Sequence, residues 1–148
     1  MANIFFHYLQ DGVRVIKAKK LKSLIQQIFK DHKRPLQRLD YIFCSDNYLL
    51  EINNKFLSHN YYTDIITFSF NNQEQPVIGE IYISIERVKE NAVIYSVSNK
   101  DEMVRVIFHG ALHLCGYKDR TIGEKKRMSE KETFFLKRFN VSRNTVSP

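Results

Sequence analysis

The hydrophobic positions of the chain follow two periods, and each change of period marks an element. Leu21, Leu24, Ile25, Ile28 and Phe29 recur at three and four, which predicts an amphipathic helix from Lys17 to about His32 with a lysine-rich outer face. Further helices are predicted from Asp46, read as an N-cap, to about Leu57, and from Ile85 to Tyr95. Two more run from Asn99, also read as an N-cap, to Cys115, and from about Gly123 to Phe139. Runs rich in β-branched and aromatic residues predict strands at Asn3 to Leu9, Leu39 to Ser45, Ile65 to Phe70 and Ile78 to Ile85. Gly12 to Ile16 reads as a further short strand after the turn signal Gln10-Asp11-Gly12, and Asn71 to Pro76 suits a hairpin. No repeat, low-complexity tract or Pro/Gly/Ser-rich linker intervenes. The expectation is one α+β domain over residues 1–148, with about four strands in a single mixed sheet, helices packed on it, and a disordered tail from about 141.

A chain of 148 residues can bury about two-thirds of its unfolded surface in one domain. Its apolar runs fall far short of a membrane span, and its first residues lack the basic start, long apolar stretch and cleavage site of a signal peptide. Cys44 and Cys115 cannot form a disulfide framework, so reduced thiols are expected. A cytoplasmic protein without a membrane partner is the natural expectation. Charge adds more to the picture. The formal net charge is +7, with Lys17, Lys19, Lys20, Lys22, Lys30, Lys33 and Arg34 set against Asp31, and a second basic run from Lys118 to Arg143. Such an excess attracts polyanions, nucleic acid above all, although two solvated helix faces would look the same.

The chemistry concentrates in Phe108-His109-Gly110-Ala111-Leu112-His113-Leu114-Cys115-Gly116-Tyr117-Lys118-Asp119. Two histidines four apart share one helix face, roughly 6 Å apart along the axis. Alone, such a pair is more readily two partly buried imidazoles bonded to backbone. Three features favour a metal. Gly116 allows a sharp turn, Asp119 supplies an oxygen ligand beyond it, and the helix is otherwise so apolar that inward histidines need a partner. His109, His113 and Asp119 would enclose one side of an ion and leave the other open, as in a catalytic zinc site. Zinc fits this donor set best, and other divalent first-row metals fit it too.

The residue after the first histidine, which in His-Glu-x-x-His peptidases is the general base, is here Gly110. A peptidase is therefore disfavoured, and the base is either the metal's own hydroxide or a residue elsewhere. Glu80, in Ile78-Gly79-Glu80-Ile81, is one candidate; a carboxylate on the solvent face of a strand is its ordinary alternative. Cys115 points to a different helix face from the histidines and reads as a packed thiol. His7, His32 and His59 have no ligand-like spacing.

The segment from His109 to Tyr117 resembles the signature of the YbeY family of bacterial metal-dependent endoribonucleases. Thr63-Asp64-Ile65-Ile66-Thr67-Phe68-Ser69-Phe70 is similar to that family's Thr-Asp-Val-Leu-Ser-Phe strand, and Ile78-Gly79-Glu80-Ile81-Tyr82-Ile83-Ser84 to its Gly-Asp/Glu-Ile-x-Ile-Ser strand. Met128 and Glu132 fit its closing helix. The resemblance implies one zinc ion, cleavage of single-stranded RNA, and a role in ribosomal RNA maturation and ribosome quality control, with the small ribosomal subunit as partner. Two positions depart from the pattern. The family's usual third ligand is histidine, in Gly-Tyr-Asp-His, where this chain has Asp119 after Lys118. An arginine that the family places about six residues before the Thr-Asp pair is here Leu57. Lys118, Arg120 and Arg87 are the cations expected to take over phosphate contacts. A non-catalytic ribosome-associated factor with a structural metal, and a metallohydrolase of another substrate, remain as alternatives.

Overall fold

The computed structural model describes residues 3–12, 14–59 and 61–141. Four strands, β1 (Ile4–Tyr8), β2 (Leu36–Cys44), β3 (Ile65–Ser69) and β4 (Val77–Ser84), form one sheet in the order β1-β2-β4-β3. β1 pairs with β2 and β2 with β4 in parallel, and β3 pairs with β4 antiparallel, so the sheet is mixed as expected. Parallel pairing needs a crossover, and α1 (Ala18–Asp31) supplies it between β1 and β2. The hairpin is closed by Asn72, whose side chain accepts from the N–H groups of Glu74 and Gln75.

Among the described residues five helices surround this sheet: α1, α2 (Asp46–Leu57), α3 (Ile85–Ile94), α4 (Asn99–Leu114) and α5 (Ile122–Asn140). Alternation along the strands sends Leu39, Tyr41 and Phe43 of β2 and Ile81 and Ile83 of β4 into one core with Leu21, Ile25 and Phe29 of α1, Phe108 and Leu112 of α4, and Phe135 and Phe139 of α5. Each of these fully buried side chains contributes about 1.5–3 kcal/mol. The opposite face is covered only in part, where Leu49 of α2 packs with Cys44 and Ile66.

Three details depart from the sequence reading. Gly12 to Ile16 forms no strand among its described residues: Val15 donates its N–H to the Tyr8 hydroxyl at 3.1 Å instead of joining a ladder, and its side chain packs onto the core. The N-caps of α2 and α4 are Ser45 and Ser98, one residue before the predicted Asp46 and Asn99. In both, a serine hydroxyl accepts from the third N–H of the helix and serves the cap as well as the acid or amide that follows. β2 begins at Leu36, three residues early, because pairing with Val77 outweighs the polar Gln37 and Arg38. The tail expected from about 141 lies, from 142 on, outside the described residues. No helix among the described residues is long and apolar enough to cross a membrane.

Candidate metal centre

The turn after α4 is fixed at both ends. Cys115 caps the helix; Gly116, at φ 105°, donates to the His113 carbonyl at 3.0 Å, and Tyr117 donates to that of Leu112 at 3.1 Å. This crossed pair with a left-handed residue between is a Schellman motif, which glycine adopts without a Cβ penalty. A few residues on, α5 opens with a capping box: Thr121 accepts from the Glu124 N–H, and the Glu124 carboxylate accepts from the N–H groups of Arg120 and Thr121. Asp119 therefore sits in a short link held rigid on either side.

That link brings Asp119 back to the histidines. Asp119 Oδ2 lies 3.3 Å from His109 Nε2 and 3.5 Å from His113 Nε2. One donor atom from each of the three lies within 4.8 Å of the others. The two rings, 4.8 Å apart between centroids and inclined at 75°, converge rather than stack. Burial, and then the neighbouring His109, lower the pKa of His113, while Asp119 opposes them, so its ring favours the neutral form a metal requires. Two imidazole nitrogens and a half-exposed carboxylate oxygen fit a divalent ion with an open side.

Behind the ligands lies a charged network that the sequence did not reveal. Nδ1 of His109 hydrogen-bonds Glu132 on α5, and an ionised carboxylate can only accept, so the ring proton sits on Nδ1 and Nε2 faces Asp119. The other oxygen of Glu132 takes Arg105 Nη1 at 3.0 Å, and Arg105 also grips Glu102 at 2.6 and 2.9 Å. Glu102 and Glu132 are almost fully buried. Burial works against the Arg105 charge, yet its bonds to the two carboxylates raise its pKa above the ordinary value. Among the described residues no buried side-chain polar atom lacks a partner. The helical spacing of 102, 105 and 109 was readable as one face, whereas the link to residue 132 was not.

The other predicted residues divide. Lys118 and Arg120 line a hollow of about 450 Å³ together with His113, Asp119, Thr121 and Glu124, so they stand at the mouth. Arg87 is instead held by Asp46 at 2.7 Å and lies over the Tyr62 ring. Glu80 is not brought to the site: it alternates with Ile81, which packs under Gly110, so it faces the opposite side of the sheet and accepts from the Tyr82 hydroxyl at 2.9 Å. Cys115 packs against the core, and burial pushes its pKa up to about 12. Gly110 has no room for a side chain, since a Cβ there would meet Ile81 at 2.9 Å and Ile65 at 3.0 Å.

Comparison with known proteins places this geometry in context. A family model described as endoribonuclease YbeY matches residues 7–140. The endoribonuclease YbeY of Cytophaga hutchinsonii is 45% identical over 129 residues, which cover 87% of this chain and 90% of that protein. That of Flavobacterium psychrophilum is 48% identical over 106 residues, covering 72% and 75%. The solution structure of a Thermotoga maritima protein aligns with a TM-score of 0.64 at 26% identity, over 92% of this chain and 88% of that one.

Proposed function

The chain belongs to the YbeY endoribonuclease family, and from that premise we propose that it cleaves single-stranded RNA with one zinc ion held by His109, His113 and Asp119. The observation that carries this reading is the convergence of these three side chains around an open side. As an endoribonuclease it is a hydrolase of phosphodiester bonds. When bound, the ion supplies Lewis acidity toward a phosphate oxygen of the scissile group. The chain's own residues do the rest. His109 and His113 present Nε2, Asp119 presents a carboxylate oxygen, and Glu132 keeps the His109 ring turned toward the site. Lys118 and Arg120, at the mouth, hold backbone phosphates on either side of the reacting one.

The substrate in this reading is precursor ribosomal RNA, and the setting is the cytoplasm, in ribosome maturation and quality control with the small subunit as partner. Family membership and the basic surface support it. Incubating the purified protein with precursor ribosomal RNA and with small subunits tests it. Processing of the precursor supports the proposal. Stable binding to subunits with no cleavage at any zinc concentration favours a non-catalytic factor, which the Leu57 position motivates.

A further inference from the structure

Two hollows adjoin at the metal mouth, and a third lies along α1. The one at His113 and Asp119 shares Lys118 and Glu124 with a second, of about 400 Å³, that also contains His32, Tyr117 and Arg127. A third, of about 550 Å³, flanks α1 from Ser23 to the turn after it and includes Lys30, Lys33 and Arg34. The two ends are tied together: His32 Nε2 lies 2.9 Å from the Tyr117 hydroxyl, and Arg34 donates to the Leu114 carbonyl at 3.4 Å. The path therefore runs over a connected surface from the Gly116 turn to the end of α1.

Its charge is available to a ligand. Among the described residues, Lys30, Lys33, Arg34, Lys118 and Arg127 take part in no ion pair, as is true of most lysines and arginines there, Arg38, Arg87, Lys100 and Arg105 excepted. Glu124, the carboxylate along the way, is occupied by backbone N–H groups of the capping box. Tyr117 adds an aromatic ring, held edge-on by His32 at 5.1 Å between centroids, on which an unpaired base can stack. On the side of Leu57 the described residues offer Lys55, over the Phe56 ring, as a lone cation, His59, Tyr61 and Tyr62 add none, and Arg87 beneath Tyr62 is spent on Asp46.

We propose that single-stranded RNA leaves the metal mouth across the Gly116–Lys118 turn and runs toward the end of α1, its phosphates held by Lys118, Arg127, Arg34, Lys33 and Lys30. The proposal rests on the ribonuclease reading of the site and adds the direction of the strand. It also gives the chain a backbone grip that does not need an arginine at position 57. Phosphate contacts of this kind confer affinity and register without base specificity.

The test compares two triple variants of the zinc-loaded protein, using a fluorescein-labelled 2′-O-methyl RNA strand long enough to span all three hollows. Lys30→Gln/Lys33→Asn/Arg127→Gln removes three path cations and leaves Arg34, which ties two elements together. Lys55→Gln/Lys89→Gln/Lys137→Gln removes three cations elsewhere, one of them on α2 just before Leu57. The path variant is expected to flatten the dependence of log affinity on log salt by about 2, at about 0.7 per lost contact, and to weaken low-salt binding roughly tenfold. The other variant is expected to change both much less, and zinc content and thermal midpoint serve as folding controls. Equal losses in the two variants, or no loss in the path variant, overturn the proposal. Cleavage of unmodified RNA is assayed separately, so failure of the nuclease reading shows there while the binding data still decide the path.

Discussion

Glu132 on α5 accepts a hydrogen bond from Nδ1 of His109 on α4, so a buried carboxylate from the next helix sets the orientation of one proposed ligand. Arg105 completes the arrangement by bonding Glu132 and Glu102 together, which leaves the network with one excess negative charge directed at the imidazole. Such outer carboxylates fix the ring's tautomer and raise its basicity toward a metal.

Glu132→Gln should therefore weaken zinc affinity by about 10–100-fold while the protein stays folded. Titration with a competing zinc chelator, with circular dichroism as the folding control, measures it. Unchanged affinity would reduce Glu132 to a structural partner of Arg105.

Asp119 should behave as a ligand and not as a surface charge. Asp119→Asn is expected to lower zinc affinity by at least roughly the tenfold seen when outer-shell partners are lost, and Asp119→His to retain the metal, since imidazole suits the same ion. Elemental analysis after dialysis reads both variants. Full zinc retention by Asp119→Asn would remove this residue from the site.

Gly110→Ala is predicted to destabilise the fold by about 1–2 kcal/mol, with overcrowding against Ile81 and Ile65 only partly offset by the better helix propensity of alanine. Zinc content should not change, because the added methyl points at the sheet and not at the ligands. Denaturant unfolding together with metal analysis separates the two effects.

Alkali should destabilise the protein before it disturbs its shape. Burial pushes Cys115 up to about 12, and burial with Asp46 nearby does the same for Cys44, from an ordinary thiol value of 9.0. Both pKa values are raised on folding, so the stability these thiols contribute is complete below pH 9 and is lost as pH rises toward 12. The expected loss by about pH 10.5 is roughly 2–4 kcal/mol. Urea midpoints across that range measure it. Rapid alkylation of both thiols in the folded protein at about pH 8 would contradict the burial that underlies the prediction.

Much of this was legible in the sequence because the informative contacts are local. Leu21, Ile25, Ile28 and Phe29 mark α1 by period alone, and His109, His113, Gly116 and Asp119 lie within one helix end and the turn after it. Helical spacing puts Glu132, unlike the exposed Glu130, on the stripe of Met128, Phe135 and Phe139, but its pairing with His109 spans 23 residues and two helices, and no local pattern names that partner. Glu80 looked available because strand period gives alternation but not which face the motif helix covers; Ile81 under Gly110 decides that. Val15 shows the same limit, since a β-branched run can pack on a core without joining a sheet.

RNA cleavage should depend on a metal held by His109, His113 and Asp119. The most direct measurement is zinc content and cleavage of a single-stranded RNA in the same samples, before chelation, after chelation and after zinc is restored, for the natural chain and for His113→Ala. Natural-chain activity should fall with its zinc and return with it, and folded His113→Ala should have neither. Cleavage that persists in the metal-free protein, or a fully active His113→Ala, would contradict it.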